Sequence, residues 1–231
     1  FFQSNGKVSP AQDTKELMET LTAGYLCNNA ALVRDENRYS IKGDPTEGAL
    51  IVSAVKAGIV KNLPRLDTVL FEPEQQYMAT LHQGGENNIV YVKGSPERVI
   101  GMCRNQSVDG RIEPLQSEQI LRKADEMAVG ALRVLAMAYK HVDSAKTSLN
   151  LQDMKDLTFL GLQGMIDPPR EEAIEAVKKC KKAGIRVIMI TGDHVQTAKA
   201  VARQLGIMSD NQDRALTGEE LSRMSDEELY R

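Results

Sequence analysis

The stretch VIMITGD, residues 187–193, changes abruptly from apolar residues to Thr191, Gly192 and Asp193. Its apolar half predicts a buried strand over residues 185–190, and ligands of open α/β sheets bind at the carboxyl ends of strands. There the Thr191 hydroxyl can donate a hydrogen bond, and Gly192 can present its backbone N–H to a phosphoryl oxygen. A turn into a helix that Asp193 caps explains the same residues. The loop therefore indicates either a phosphate site or a capped turn.

A second candidate site occurs in YVKGSPE, residues 91–97. Lys93 ends a predicted strand, Gly94 permits close approach of another backbone, and a helix begins after Ser95. This arrangement places an ammonium beside the free backbone donors of a helix N-terminus, where anions bind. An exposed lysine at an ordinary strand-to-helix turn remains the alternative.

Three further side chains could contact a ligand, and each also has an ordinary structural explanation. Glu47 could accept a hydrogen bond from an amine such as adenine N6, or it could be a first-turn acid that opposes the helix dipole. Phe71 could stack on a base or belong to the core. Arg133 could bind a phosphate bidentately or face water.

The composition bounds the kind of protein to which these residues belong. The chain has 231 residues, a formal net charge of −3, 42% hydrophobic residues and three cysteines. The balanced charge disfavours non-specific nucleic-acid binding, and the apolar runs are too short to span a bilayer. The cysteines lie far apart without a CxxC or Cys/His cluster, so reduced thiols and no metal site are expected. The first ten residues do not resemble a signal peptide, and the absence of an initiator Met suggests a piece of a longer protein.

The elements that must position these residues follow two different patterns. The first part combines amphipathic helices with short strands, which favours an α+β domain with an antiparallel sheet. Its expected helices are 14–29, one from Pro45, one from Ser95 and 117–129. Its expected strands are 68–71, 77–82, 89–92, 133–139 and 157–166.

The sequence DPPR, residues 167–170, interrupts this pattern because two prolines fix the backbone and donate no hydrogen bond. After it come a predicted helix (171–182), the strand 185–190 and a helix (196–205), an alternation typical of α/β domains. We therefore place the domain boundary at DPPR and expect domains over 1–166 and 167–231. The second has too few residues for a complete doubly wound domain.

Taken in order, the motifs resemble the cytosolic catalytic region of P-type cation-transporting ATPases. They are CNNA (27–30), KGDPTEGAL (42–50), the pair Phe71 and Met78, KGSPE (93–97), LRVLAMA (132–138), DPPR and MITGDHVQTAKAVARQLGI (189–207). The resemblance covers most of the chain. It is strongest to the calcium-transporting branch, with the sodium/potassium type as the alternative.

This resemblance implies a fold for each part. Residues 1–166 would form the α+β nucleotide-binding domain, an antiparallel sheet flanked by helices. Residues 167–231 would supply the hinge and part of a phosphorylation domain of haloacid-dehalogenase-like α/β fold. The hinge residues would be Asp167, Pro168, Pro169 and Arg170.

The resemblance also implies roles for single residues. Glu47 would contact adenine, Phe71 would stack on it and Lys93 would line the pocket floor. The implied nucleotide site also includes Met78, Gly94 and, toward the phosphates, Arg133. Thr191 and Gly192 would hold the transferred phosphoryl group, with Asp193 supporting their loop.

One departure concerns Gln76, which stands where the family often has a nucleotide-binding Lys. Together with the nearby Glu72 and Glu74, it should weaken the attraction for phosphate. The chain also contains neither the D-K-T-G-T nucleophile sequence nor the G-D-G-x-N-D magnesium sequence.

A chain without the nucleophile is expected to be a fragment that binds ATP without being phosphorylated. In the intact pump, ATP with Mg²⁺ would phosphorylate an Asp, and the fragment's partners would be the remaining phosphorylation, actuator and transmembrane domains. Its expected location is the cytosolic part of an integral membrane protein. A dehalogenase-like phosphatase would need its own D-x-D nucleophile. A regulatory module that has lost ATP binding remains an alternative.

Overall fold

The computed structural model describes residues 15–35, 38–59, 61–130, 132–166, 169–192, 195–209, 213–225 and 228. The chain forms two compact units, each of which has most of its residue contacts within itself. The first comprises Phe1–Ala124 and Val134–Met165, and the second comprises Asp125–Arg133 and Ile166–Arg231.

The first unit is built on a seven-stranded sheet with the strand order β3-β4-β5-β8-β9-β6-β7. A separate two-stranded hairpin consists of β1 (Ala31–Asp35) and β2 (Arg38–Lys42). The sheet strands are β3 (Arg65–Val69), β4 (Tyr77–His82), β5 (Asn88–Gly94), β6 (Cys103–Val108), β7 (Arg111–Pro114), β8 (Arg133–Val142) and β9 (Leu157–Met165).

Helices accompany the sheet of the first unit. They are α1 (Lys15–Leu26), α2 (Pro45–Lys56), α3 (Pro96–Ile100) and α4 (Ser117–Val129), with a 3-10 turn at Leu151–Asp153. Of α4, the residues from Asp125 onward are assigned to the second unit. Helix α1 contacts β5, β9 and α2, whereas α3 also contacts β5 and β9.

Alternation along the buried strands divides the core into two layers. Side chains of strand β4 point to opposite faces in turn. Tyr77, Ala79 and Leu81 pack with residues of α3. Met78 packs instead with the α1 and α2 side chains, including Leu50. Helices α1 and α2 therefore cover one face of the sheet. Ile89 and Tyr91 of β5 point toward the same face.

The expectation of a purely antiparallel sheet is wrong at one pair of strands. Strands β3, β4, β5 and β8 pair antiparallel, but β6 pairs with β9 in parallel. Parallel neighbours need a long crossover connection, and here β7, α4 and β8 lie between them. The sheet is therefore mixed.

Some element boundaries also differ from expectation. Helix α1 ends at Leu26 instead of residue 29, and β3 covers Arg65–Val69 instead of 68–71. Phe71 consequently follows a strand instead of ending one. The pattern along the chain did not predict β1, β2, β6 or β7.

The second unit contains α5 (Glu171–Lys182), α6 (Val195–Gln204) and α7 (Gly218–Arg223). The strand predicted over 185–190 is wrong, because these residues form no regular element, and Ile188 and Ile190 are 73% and 93% exposed. A strand requires a neighbour that pairs its backbone groups. In the described part of the second unit no strand is present to do so.

Within the described ranges, no helix is both long enough and apolar enough to cross a bilayer.

Candidate nucleotide-binding site

Lys93 lies one residue before the end of β5, on the sheet face covered by α1 and α2. It is opposite Met78 on strand β4 and shares its face with Tyr91, two residues earlier. The residue is only 6% exposed. A buried ammonium is costly unless it is paired, so the surroundings of Lys93 must compensate its charge.

The compensating charge is Glu47, in the first turn of α2. Asp44 caps this helix by accepting hydrogen bonds from the N–H groups of Thr46 (2.8 Å) and Glu47 (3.1 Å), and Pro45 occupies the first turn. The Lys93 Nζ donates to Glu47 Oε1 at 2.6 Å. Two residues that were predicted separately, 46 positions apart, therefore form one ion pair.

The pair is largely shielded from water, with 8% of the Lys93 side chain and 17% of the Glu47 side chain exposed. The second carboxylate oxygen of Glu47 accepts from the Asn29 N–H at 3.1 Å. A carboxylate has about four acceptor positions and an ammonium has three donors. These bonds leave capacity on both groups for a ligand.

Phe71 lies two residues beyond β3 and is 56% exposed. The core interpretation of this residue is therefore wrong. Because β3 adjoins β4, which adjoins β5, the end of β3 lies at the same end of the sheet as the end of β5. An exposed aromatic ring at this end suits stacking on a flat ligand.

Gly94 is required by the close approach of the β3–β4 connection. A Cβ at this position would lie 2.4 Å from the carbonyl oxygen of Gln76. That carbonyl accepts the Ser95 N–H at 3.0 Å, and the Ser95 Oγ donates to Gln76 Oε1 at 3.2 Å. Gln76 itself has a positive φ of 59°. Through these hydrogen bonds, Gln76 holds the loop after Phe71 against the end of β5, the strand that contains Lys93.

Cys27 lies under this region and is fully buried. Burial raises the pKa of its thiol, although the Lys93 charge acts in the opposite direction. The Sγ donates to the carbonyl of Met78 at 3.5 Å. Cys27 is thus a neutral packing residue beneath the ion pair.

Met78 lies opposite Lys93 but is buried, and Arg133 belongs to the other unit of the chain. Met78 is 1% exposed and packs in the core beneath the α1 and α2 helices. Arg133 is exposed at the first residue of β8 and belongs to the second unit.

The predicted phosphate loop and hinge also belong to the second unit. Thr191 and Gly192 are exposed outside any helix or strand, and a Cβ at Gly192 would meet nothing within 4 Å. Pro169 and Arg170 precede α5, which begins without a side-chain cap. Asp167, Pro168 and Asp193 lie outside the described residues.

Asn28, Asn29 and Arg65 complete the surroundings of Glu47, and residue-level sequence reasoning missed them. Asn28 donates through Nδ2 to the Glu47 carbonyl at 2.8 Å, while Arg65 donates to Asn29 Oδ1 at 2.9 Å. The two consecutive asparagines at the end of the predicted helix 14–29 were a possible signal, since Asn side chains often bond local backbone groups. Arg65 carried no signal of this kind.

Similarity to known proteins decides the family. Residues 16–172, more than half of the chain, match the family described as "P-type ATPase, cytoplasmic domain N". The chain belongs to this P-type ATPase family. The family match includes Glu47, Phe71 and Lys93.

Several relatives are similar over nearly the whole chain. It is 44% identical to the cation-transporting ATPase pma1 of Synechocystis over 92% of its length, which is 24% of that protein. It is 40% identical to the probable cation-transporting ATPase F of Mycobacterium tuberculosis (94% of this chain, 25% of the relative). Identity to the calcium-transporting ATPase 1 of Lactococcus lactis is 38% (95% of this chain, 26% of the relative). The chain thus spans about a quarter of the length of these relatives.

P-type ATPases use ATP with magnesium, and a magnesium site built by this domain would need a group of carboxylate or other donor side chains. Across the described ranges, no three His, Cys, Asp or Glu side chains are grouped so that they could hold a metal ion. These residues therefore do not fit a protein-built magnesium site.

Proposed function

We propose that this chain binds ATP and is the nucleotide-binding part of a longer P-type ATPase. The observation that carries the proposal is the shielded Lys93–Glu47 ion pair, 2.6 Å between Nζ and Oε1, at the carboxyl end of β5. A charged pair at the same end of the sheet as the exposed Phe71 suits a ligand that has both a flat base and polar groups.

Each part of ATP has a partner of matching chemistry. Adenine N6 would donate to the Glu47 carboxylate, and the ring would stack on Phe71. Lys93 would donate from the floor toward the base and ribose. Base–aromatic stacking contributes about 1–3 kcal/mol per base in nucleic-acid binding proteins. Gly94 keeps the loop after Phe71 close to Lys93.

The substitution Phe71→Ala tests this arrangement. Loss of stacking should raise the ATP dissociation constant at least about fivefold, as measured by calorimetry. The matched control is Tyr39→Ala, because Tyr39 is a similarly exposed aromatic residue (65%) on the separate β1–β2 hairpin. Equal affinities of the Phe71 and Tyr39 variants would exclude stacking on Phe71.

For the longer protein we propose ATP-driven transport of calcium. The relatives from Lactococcus lactis and Listeria monocytogenes are named calcium-transporting ATPases. The γ-phosphoryl group of ATP would pass to an Asp in D-K-T-G-T, a sequence that residues 1–231 do not contain. The acyl phosphate would then be hydrolysed as the ion moves. The chain itself would lie in the cytosolic part of a membrane protein. ATP-dependent uptake of labelled calcium into vesicles containing the longer protein tests the ion, and uptake of sodium or potassium alone would contradict it.

The second unit would supply the hinge and part of a haloacid-dehalogenase-like phosphorylation domain. Asp167 to Arg170 would form the hinge, Arg133 would reach toward the phosphates, and residues 191–193 would hold the phosphoryl group. Incubation of the isolated chain with γ-labelled ATP should give no acid-stable label, because the nucleophile is missing. A stable label on this chain would contradict the assignment.

A further inference from the structure

Arg65, the first residue of β3, reaches the end of helix α1. Its Nη2 donates to the carbonyl of Leu26 at 3.0 Å and to that of Asn28 at 2.5 Å, and its Nη1 donates to Asn29 Oδ1 at 2.9 Å. Helix α1 has no basic residue in its last turn. Helix C-termini carry partial negative charge, which a nearby cation stabilises. The last turn of α1 has no such cation, and the guanidinium of Arg65, from strand β3, takes its place.

The two asparagines connect this helix end to Glu47. Asn28 is buried, and its Nδ2 donates to the carbonyls of Gly24 (3.0 Å) and Glu47 (2.8 Å) while its Oδ1 accepts from the Ala30 N–H (2.8 Å). The Asn29 N–H donates to Glu47 Oε2 at 3.1 Å. Glu47 is therefore held at both its backbone and its carboxylate.

We propose that Arg65 is a positioning residue for the Glu47–Lys93 pair, acting through Asn28 and Asn29. Asn29 fixes one carboxylate oxygen of Glu47, which directs the other oxygen toward the Lys93 ammonium at 2.6 Å. The effect on ATP rests on the proposed function, whereas the placement of Glu47 by Arg65 does not depend on nucleotide.

The physical reason is preorganisation. A side chain that is already held in its bound geometry loses less conformational entropy when the ligand arrives. The planar guanidinium of Arg65 bonds three acceptors, one each on Leu26, Asn28 and Asn29. A lysine ammonium cannot reproduce this geometry. Loss of Arg65 should therefore loosen Asn29 first, then the Glu47 carboxylate, and through it Lys93.

The test compares Arg65→Gln with the matched control Arg122→Gln, which removes the same charge from an exposed position on α4. Calorimetry should show about fivefold weaker ATP binding for Arg65→Gln, an intermediate loss for Arg65→Lys and wild-type affinity for Arg122→Gln. In a Glu47→Gln background, Arg65→Gln should add less than about a twofold loss. A full fivefold loss in that background would show that Arg65 does not act through Glu47 and would overturn the proposal.

A second readout needs no nucleotide. In the wild-type background, the NMR signal of the Asn29 amide proton should respond to the substitution Glu47→Gln, because this N–H donates to Glu47 Oε2. In the Arg65→Gln background this response should largely disappear. An unchanged response overturns the proposal even if every variant binds ATP. If the wild-type chain binds no ATP, the proposed function fails, but the Asn29 signal still decides the role of Arg65. If Arg65→Gln does not fold, the same measurement of the Asn29 amide signal is made on Arg65→Lys.

Discussion

The Lys93–Glu47 pair is shielded enough that neither partner can be removed without consequence. Without Lys93, the Glu47 carboxylate keeps only the Asn29 N–H, and without Glu47 the Lys93 ammonium loses its carboxylate, at a site where water is largely excluded. The same shielding makes both groups stronger hydrogen-bond partners for a ligand that enters. Binding and stability are therefore coupled at these two residues.

Lys93→Met should lower the free energy of unfolding by about 2 kcal/mol, because Glu47 keeps its charge but loses its cation. Urea denaturation measures the change. The matched control is Lys61→Met, since Lys61 is 51% exposed and lies 3.9 Å from Glu19. This exposed pair should contribute less than about 1 kcal/mol. Equal destabilisation by both substitutions would contradict the role of shielding.

His82 on β4 gives the stability a dependence on pH. Burial lowers the pKa of its imidazole from 6.5, and the Arg65 charge acts in the same direction, while a hydrogen bond with the Leu63 carbonyl opposes it. The unfolded chain therefore binds the proton at a higher pH than the folded chain does. Stability is complete above the unfolded pKa of about 6.5 and falls as the pH decreases below it.

The corresponding measurement is urea denaturation at pH 7.5 and at pH 5.5, values chosen to lie about one unit on either side of that pKa. The wild type should lose stability between them, and His82→Gln should lose less. The exposed His141 provides the control substitution His141→Gln, which should behave like the wild type. A His82→Gln variant with the full wild-type loss would show that other groups cause the effect.

At the scale of elements, the site depends on the junction of the β3–β4 connection with the end of β5. Gln76 bonds Ser95 through both its carbonyl and its side chain. The residue thus has a structural use at this junction. Gly94 makes the junction possible, because the Gln76 carbonyl passes where a side chain would begin.

Gly94→Ala should destabilise the fold by about 1–3 kcal/mol, because the added methyl group meets rigid backbone and Tyr77. Thermal unfolding measures this change. Gly85→Ala in the β4–β5 turn is the control, since a Cβ there would meet nothing within 4 Å. If both variants melt together, the close approach at Gly94 does not constrain the fold.

Elements with strong local patterns could be predicted from the sequence, whereas those that depend on distant partners could not. Helices α4 and α5 and strand β4 agree with their predicted bounds, because the periodicity that predicts them is local. Strands β6 and β7 are short and polar, and only their pairing makes them strands. For residues 185–190 the error was the opposite one: the apolar sequence predicted a strand that is not formed. Hydrophobicity alone does not supply the neighbouring strand that a strand needs.

The same limit applies to the site. Glu47 and Lys93 could each be recognised as candidates from their places at a helix start and a strand end. Their contact could not be predicted, because it depends on how α2 lies against β5. Arg65 was missed for the same reason, since its acceptors are mostly backbone carbonyls, which leave no trace in the side-chain pattern.

At the scale of the whole molecule, the two units differ in how completely their backbone is paired. The first contains a seven-stranded sheet between buried layers, whereas the described part of the second contains helices and an exposed apolar segment at 185–190. Backbone amides without a partner strand exchange readily with solvent.

Hydrogen exchange should therefore be fast at residues 187–190 and slow in β5, where every residue is buried and residues 89–94 are paired on both sides. Mass spectrometry after proteolysis resolves the two segments, and β4 serves as an internal reference for slow exchange. Slow exchange at 187–190 in the isolated chain would show that these residues have found a strand partner.

Nucleotide binding by the isolated chain is tested most directly by titrating the ¹⁵N-labelled protein with ATP and following its amide signals, with and without magnesium. We predict saturable shifts that cluster around Glu47, Phe71 and Lys93 and that largely disappear in Lys93→Ala. The absence of any saturable response at several millimolar ATP, or shifts confined to other parts of the chain, would contradict the proposed site.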